Sequence, residues 1–174
     1  MENKIQKFII SNVKTAITGI FLSLFVGLAV REVSRGLLQK INLFDFNVVN
    51  GFLELGHGHA LIFFSVIPLI FAAIIYLIKD KISVDFPEKK LSIYFGLTHL
   101  GLLLTLILML YKGFSYVMLY SEITDLTKID SSLFFGSKIF RILIYAFSHI
   151  TMSVGLLGSG IIIFRKFEVE KLLF

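Results

Sequence analysis

The sequence predicts an all-α integral membrane protein, a four-helix bundle formed by one transmembrane domain. Of its 174 residues, 56% are apolar and only 17% are charged, against roughly 25% charged residues in an average soluble domain. The mean hydropathy is +0.87. Three stretches of 21 to 24 residues contain no Asp, Glu, Lys or Arg, and a helix needs about 20 residues to cross the hydrocarbon core of a bilayer. The lipid bilayer is therefore the expected partner.

The net charge of +5 does not indicate a nucleic-acid-binding protein. Such proteins cluster Lys and Arg on one exposed face, whereas the 17 basic residues of this chain are scattered between long uncharged runs. The chain has no cysteine, which excludes disulfides, thiolate metal sites and iron–sulfur clusters. Any metal site would have to use histidine and oxygen ligands.

The four predicted spans follow from the uncharged stretches and their flanks. The first stretch, Thr15–Val30, has only 16 residues and ends at the Arg31-Glu32 pair. We predict a retained span there and not a signal peptide, because the helical pattern continues without a small-residue cleavage site. The spans are expected at about 12–33, 55–78, 91–112 and 140–164.

The connections predict the topology. The segment 31–54 mixes apolar and charged residues in a pattern that also allows an interfacial helix between spans one and two. The N-terminus, the 79–90 loop and the C-terminal tail carry ten basic residues, against seven on the other side. Because basic residues are retained on the cytoplasmic side, we expect both termini inside.

All four histidines lie in or beside predicted spans: His57, His59, His99 and His149. Polar side chains are costly in a bilayer, and neutral imidazole is a ligand for haem iron, copper and zinc. The helical rise places His59 and His149 at nearly one level, with His99 one to two turns deeper. This predicts a haem b between spans two and four, with His59 and His149 as axial ligands. His99 is a further candidate ligand.

Other residues join two versions of this site. Arg31 or Lys112 could bind the haem propionates, Arg31 through a bidentate contact. A zinc or copper site at the rim of the bundle could instead use Glu54, His57, His59 and His149. His57 and His59 are about 200° apart on a regular helix, so they should not face the same side. The alternative for every histidine is a hydrogen-bonded packing residue.

Span three carries a polar stripe that has two interpretations. Tyr94, Thr98, Gly101, Thr105 and Lys112 follow helical spacing. They form either a contact face for another helix or the lining of a path towards Lys112. Span four has small residues at spacing four, which allow close helix packing; these are Thr151, Gly155 and Ser159. In span two, a proline predicts a kink at position 68.

These motifs resemble an uncharacterised family of small prokaryotic four-span membrane proteins, known as a domain of unknown function. The resemblance rests on four short motifs in order along the chain: Gly27…Arg31-Glu32, His57-Gly58-His59, Leu110-Tyr111-Lys112-Gly113 and His149…Gly155. It implies a four-helix fold in a prokaryotic cytoplasmic membrane and little biochemistry. Members often have Arg where Lys112 stands here. The histidine pattern is also similar, more weakly, to the haem-ligating helices of haem–copper oxidase and nitric-oxide-reductase-like membrane proteins.

The functional expectation is therefore a membrane protein that binds haem b, or a zinc or copper ion, for electron transfer or for redox or gas sensing. No catalytic motif is evident, so enzyme activity is neither predicted nor excluded. One alternative is a small transporter or channel-like subunit with a polar path along span three, which would need to form a homo-oligomer. Another is a scaffold or accessory subunit of a larger membrane complex.

Overall fold

The computed structural model describes residues 2–38, 43–79, 87–120 and 122–166. Every regular element in these residues is helical. The long helices are α1 (Glu2–Leu38), α2 (Leu43–Leu61), α3 (Ile67–Ile78), α4 (Glu88–Tyr120) and α6 (Lys138–Lys166). A short helix, α5 (Leu126–Ser132), and a 3-10 turn (Phe134–Gly136) connect α4 to α6.

Four helical segments are long and apolar enough to cross a membrane, as the sequence predicted for a membrane protein. They are Lys4–Gly36, Asp45–Ile78, Glu88–Tyr120 and Lys138–Arg165. Each extends past the predicted span, because the helix continues through the charged residues at its ends. We call the side on which α1 begins the terminal side of the bundle.

The second span is interrupted by a π-helical turn at Ile62–Val66, between α2 and α3. Pro68 follows this turn in the first turn of α3, and it has no N–H to donate to the carbonyl of Phe64. The freed carbonyl lies against Gly19 of α1, where a Cβ would overlap it. A glycine in α1 therefore allows the two backbones to approach where Pro68 breaks the hydrogen-bond ladder.

The segment between spans one and two does not form a separate interfacial helix in the described residues. Residues 31–38 continue α1 and residues 43–54 belong to α2, while 39–42 lie outside the described residues. Val49 and Leu53 are fully buried in one apolar cluster with Leu108 of α4. This packing favours a continuous α2, since a surface helix would leave those side chains uncovered. The short surface helix is α5, in the following connection.

The last span packs on the third through the predicted small residues. A Cβ on Gly101 of α4 would overlap the backbone of Met152, and one on Gly155 of α6 would overlap the backbone of Thr98. Thr105 is buried at the same interface, next to Ser148. The polar stripe of span three is therefore a helix contact face. In the described part of the chain, α6 has no comparably extensive contact with α1, α2 or α3.

Candidate functional site

His57 points from the second span to the first. Its Nδ1 donates to the carbonyl oxygen of Ser23 at 3.0 Å. The ring lies so close to Gly27 that an added Cβ there would be 2.6 Å from Cε1 of His57. A glycine at position 27 is therefore needed for this contact, and His57 connects the two helices.

Glu54 does not join His57. The carboxylate of Glu54 accepts a hydrogen bond from Nδ2 of Asn50 at 2.6 Å, and Asn50 also bonds to Ser34 of α1. Among the residues that the structure describes, no group of three His, Asp or Glu side chains lies close enough to hold a metal ion. Glu54 and His57 of the predicted rim site thus have different hydrogen-bond partners in the structure.

His59 and His149 have the same local arrangement. Nδ1 of His59 donates to the carbonyl of Leu55 at 2.6 Å, and Nδ1 of His149 donates to the carbonyl of Tyr145 at 2.7 Å. Because a carbonyl can only accept, Nδ1 carries the proton in both neutral rings. Nε2 is then the atom with the free lone pair. No other described residue hydrogen-bonds to Nε2 of either ring.

Contacts with α4 show that these two histidines lie at similar depth. Gly56 of α2 lies against Leu110, so His59 is level with about residue 107 of α4. Ser148 of α6 bonds to Thr105, so His149 is level with about residue 104. At 1.5 Å per residue the two levels differ by about 5 Å.

A helical projection places the two histidines on the same side of α4. Leu53 and Gly56 are on the face of α2 that contacts α4. His59 lies about 90° around the axis of α2 from that face, on the side opposite His57. His149 is about 100° around α6 from Ser148. Because α2 and α6 run in the same direction on neighbouring faces of α4, a helical projection turns both rings towards the groove between α2 and α6. His59 is partly exposed and His149 exposed.

His99 lies elsewhere. Its Nδ1 donates to the carbonyl of Phe95 at 2.8 Å, and its ring lies 4.4 Å from the ring of Phe95. The ring of Phe64, on the second span, lies 6.4 Å from the ring of His99. His99 therefore occupies the face of α4 that contacts the first two spans, apart from His59 and His149.

The two cations predicted to bind propionates have different surroundings. Arg31 is exposed on α1 and forms no ion pair with any described residue, since Glu32 pairs with Arg35 at 3.2 Å. Nζ of Lys112 lies 3.1 Å from the carboxylate of Asp130. Arg31 is thus an unpaired cation, whereas Lys112 is already neutralised.

Asp130 is the centre of a polar cluster that the sequence did not predict. Besides Lys112, it binds Nη1 of Arg141 at 2.7 Å and accepts from the hydroxyl of Tyr116 at 3.0 Å. Burial raises the pKa of the Asp130 carboxyl, but hydrogen bonds from Arg141, Lys112 and Tyr116 outweigh burial and lower the pKa to about 2. The cluster joins α4, α5 and α6. The one signal in the sequence was Lys112, an isolated cation at the end of a span.

The candidate residues therefore fall into three groups. His59 and His149 project towards the α2–α6 side of α4, His99 lies on another face of α4, and the Asp130 cluster joins α4, α5 and α6. Comparisons with protein families, with curated proteins and with solved structures found no match to this chain. The functional argument consequently rests on the chemistry and geometry of these residues.

Proposed function

We propose that this protein binds a transition-metal cofactor, haem b or a copper or zinc ion, in the groove between α2 and α6. His59 and His149 would be the protein ligands. The argument that carries the proposal is that the two side chains differ by only about 5 Å in depth, project towards the same side of α4, and have Nδ1 engaged so that Nε2 keeps its lone pair. Exposing an imidazole nitrogen to lipid at that depth costs free energy, so binding of a metal ion or haem iron to that nitrogen is favoured.

The donor set fits such a cofactor. Metal-bound histidines commonly donate their second ring N–H to a backbone carbonyl, which fixes the tautomer and the orientation of the ring. The bonds to Leu55 and Tyr145 are of this kind. Imidazole nitrogen suits iron, copper and zinc alike. Haem or copper would supply one-electron chemistry, which supports a role in electron transfer or in redox or gas sensing.

Two residues of the expected site contribute less to this proposal. Lys112 would have to leave Asp130 before it could bind a propionate, and Arg31 stands on α1, whose contacts are with the opposite flank of α2. A transport path along span three has no support from the geometry, because Thr98 and Thr105 are buried against α6.

We also infer that the terminal side faces the cytoplasm of a prokaryotic cell, which a reporter fused to the C-terminus would test.

The test is the absorption spectrum and metal content of the protein purified from haem-supplemented cells. Haem binding would give a Soret band, and a metal ion without haem would give bound copper or zinc by elemental analysis. His59→Phe and His149→Phe should each lose most of the bound cofactor. His99→Phe is the matched control and should keep it, because His99 lies on another face of α4.

A protein that is colourless after supplementation and contains no copper or zinc would refute the proposal. So would equal cofactor content in all three variants, provided that circular dichroism shows each to be folded. The packing interpretation of the histidines, with a scaffold or accessory role, would then be the better one.

A further inference from the structure

A cavity of about 370 Å³ with a mixed polar and apolar lining lies between the N-terminal half of α1 and the start of α4. It is on the terminal side and is separate from the α2–α6 groove. Pockets of small ligands begin at about 300 Å³, so the cavity has room for a small molecule. Its lining includes Lys7, Phe8, Asn12, Glu88, Phe95 and His99.

Two of these residues each carry a buried hydrogen-bond acceptor without a partner. Asn12 is 2% exposed, and its Nδ2 donates to the carbonyl of Phe8 at 2.9 Å, which leaves Oδ1 unpaired. His99 uses Nδ1 on the carbonyl of Phe95, which leaves the lone pair of Nε2 unpaired. No described residue supplies a donor to either atom.

Such acceptors need an external donor. Leaving a buried polar atom unsatisfied costs about 1–3 kcal/mol, so an occupant of the cavity that donates a hydrogen bond, a water molecule or a ligand, is favoured. Two unpaired acceptors beside one cavity therefore indicate a ligand that is rich in N–H or O–H donors. A ligand that only accepts hydrogen bonds, such as a carboxylate or phosphate group, would leave both atoms unpaired.

The remaining lining favours a cation among the donor-rich ligands. Phe8 and Phe95 line the cavity with an edge-to-face ring pair whose centroids are 5.7 Å apart, and aromatic rings attract ammonium groups. Glu88 and Lys7 both line the cavity and their opposite charges offset each other, so the ring pair carries the preference for a cation. We propose that this cavity binds a small protonated primary amine, with its N–H groups donating to Oδ1 of Asn12 and Nε2 of His99.

A crevice continues from this cavity along α1. A second cavity of about 310 Å³ shares Ser11 and Thr15 with the first and extends past Thr18 to Leu22. From Lys7 to Leu22 the helix rises about 22 Å, which is most of the hydrocarbon thickness. This crevice gives the amine a route along α1 from the terminal side.

The amine could be a free molecule or the ethanolamine headgroup of a lipid, because both carry a primary ammonium group. Lys7 at the cavity suits the phosphate of such a headgroup. The two sources can be separated by titrating methylammonium chloride into protein in phosphatidylglycerol nanodiscs, with and without phosphatidylethanolamine. Weaker apparent binding in the discs that contain ethanolamine lipid would assign the headgroup, and equal binding would assign a free amine.

Calorimetry in phosphatidylglycerol nanodiscs, with sodium chloride as the ionic-strength blank, tests the proposal itself. Methylammonium should bind, and tetramethylammonium, which has no N–H donor, should bind at least tenfold more weakly. Asn12→Leu and His99→Phe should each weaken methylammonium binding about tenfold or more, since a hydrogen bond to a charged group is lost. Asn47→Leu, on an exposed position of α2, is the matched control.

Three results would overturn the proposal: no heat of binding for methylammonium, equal binding of tetramethylammonium, or unchanged binding in both folded cavity variants. The comparison of the two cations uses the unaltered protein, so it remains decisive if a variant fails to fold. Because His59 and His149 lie outside this cavity, loss of amine binding leaves the cofactor proposal unaffected.

Discussion

Replacement of Asp130 by Asn should destabilise the end of the bundle opposite the terminal side. Asp130 holds Lys112 of α4 and Arg141 of α6 together through one carboxylate, and it also accepts from Tyr116. An amide keeps the shape of the side chain but removes the negative charge. The two cations would then repel each other without a counter-charge.

The magnitude follows from the pKa. The carboxyl of Asp130 falls from an ordinary pKa of 3.8 to about 2 in the folded protein, and each pKa unit corresponds to about 1.4 kcal/mol. Net of burial, the ion pairs and hydrogen bonds to the ionised carboxylate therefore contribute at most about 2.5 kcal/mol. Because about a third of the side chain is exposed, at 32%, solvent screening lowers the expected loss to about 1–2 kcal/mol.

The pH dependence has a definite sign. The folded pKa lies below the unfolded one, so the contribution of Asp130 is fully present above pH 3.8 and is lost as the pH falls through about 2. The assay is chemical unfolding of wild type and Asp130→Asn in detergent at pH 7 and between pH 4 and pH 2. The gap between the two curves should close across that window.

Glu122→Gln is the matched control for charge removal. Glu122 is exposed in the same connection, and its replacement should leave the free energy of unfolding within about 0.5 kcal/mol. Equal stability of wild type and Asp130→Asn at pH 7 would refute this reasoning, as would a gap that persists at pH 2.

Two further predictions concern close helix contacts. Gly155→Ala should separate α6 from α4 and destabilise the fold by about 1–3 kcal/mol, because the new Cβ overlaps the backbone of Thr98. Gly160→Ala is the control, because its Cβ meets nothing within 4 Å and should cost nothing. Thermal unfolding of both variants measures the difference, and an equal loss of stability in the two would contradict the prediction. Gly27→Ala should cost about 1–3 kcal/mol by displacing the His57 ring. The double variant with His57→Ala should lose less than the sum of the two single variants, and strict additivity would contradict the contact.

Much of the fold could be predicted from local sequence. A run of about 20 uncharged apolar residues commits a segment to a membrane-spanning helix, because its backbone must satisfy its own hydrogen bonds in lipid. The small residues at positions 98, 101 and 155 likewise predicted a close helix contact, which the structure has between α4 and α6. The boundaries of the helices were harder to predict. Residues 43–54 belong to α2, ahead of the predicted span, and Val49 and Leu53 there are buried in a cluster with Leu108 of α4. That burial depends on a helix that is distant in sequence.

The sites depended more strongly on the tertiary structure. Helical rise alone predicted the common depth of His59 and His149, since depth is a property of one helix at a time. The Asp130 cluster could not be predicted in this way, because its cations lie 18 and 11 residues away on two other helices. The sequence around Asn12 gave no signal of a site, because the unpaired oxygen of Asn12 matters only beside the cavity that α1 and α4 form together.

Composition and hydropathy by themselves determined that this is a four-span helical membrane protein without thiol chemistry. They also identified histidine as the residue type on which any metal site depends. Only the packing of the helices decided which histidine bridges to α1 and which one borders the α1–α4 cavity. The physical reason is that helix formation in a bilayer is governed by contiguous residues, whereas a binding site requires side chains from helices that are distant in sequence.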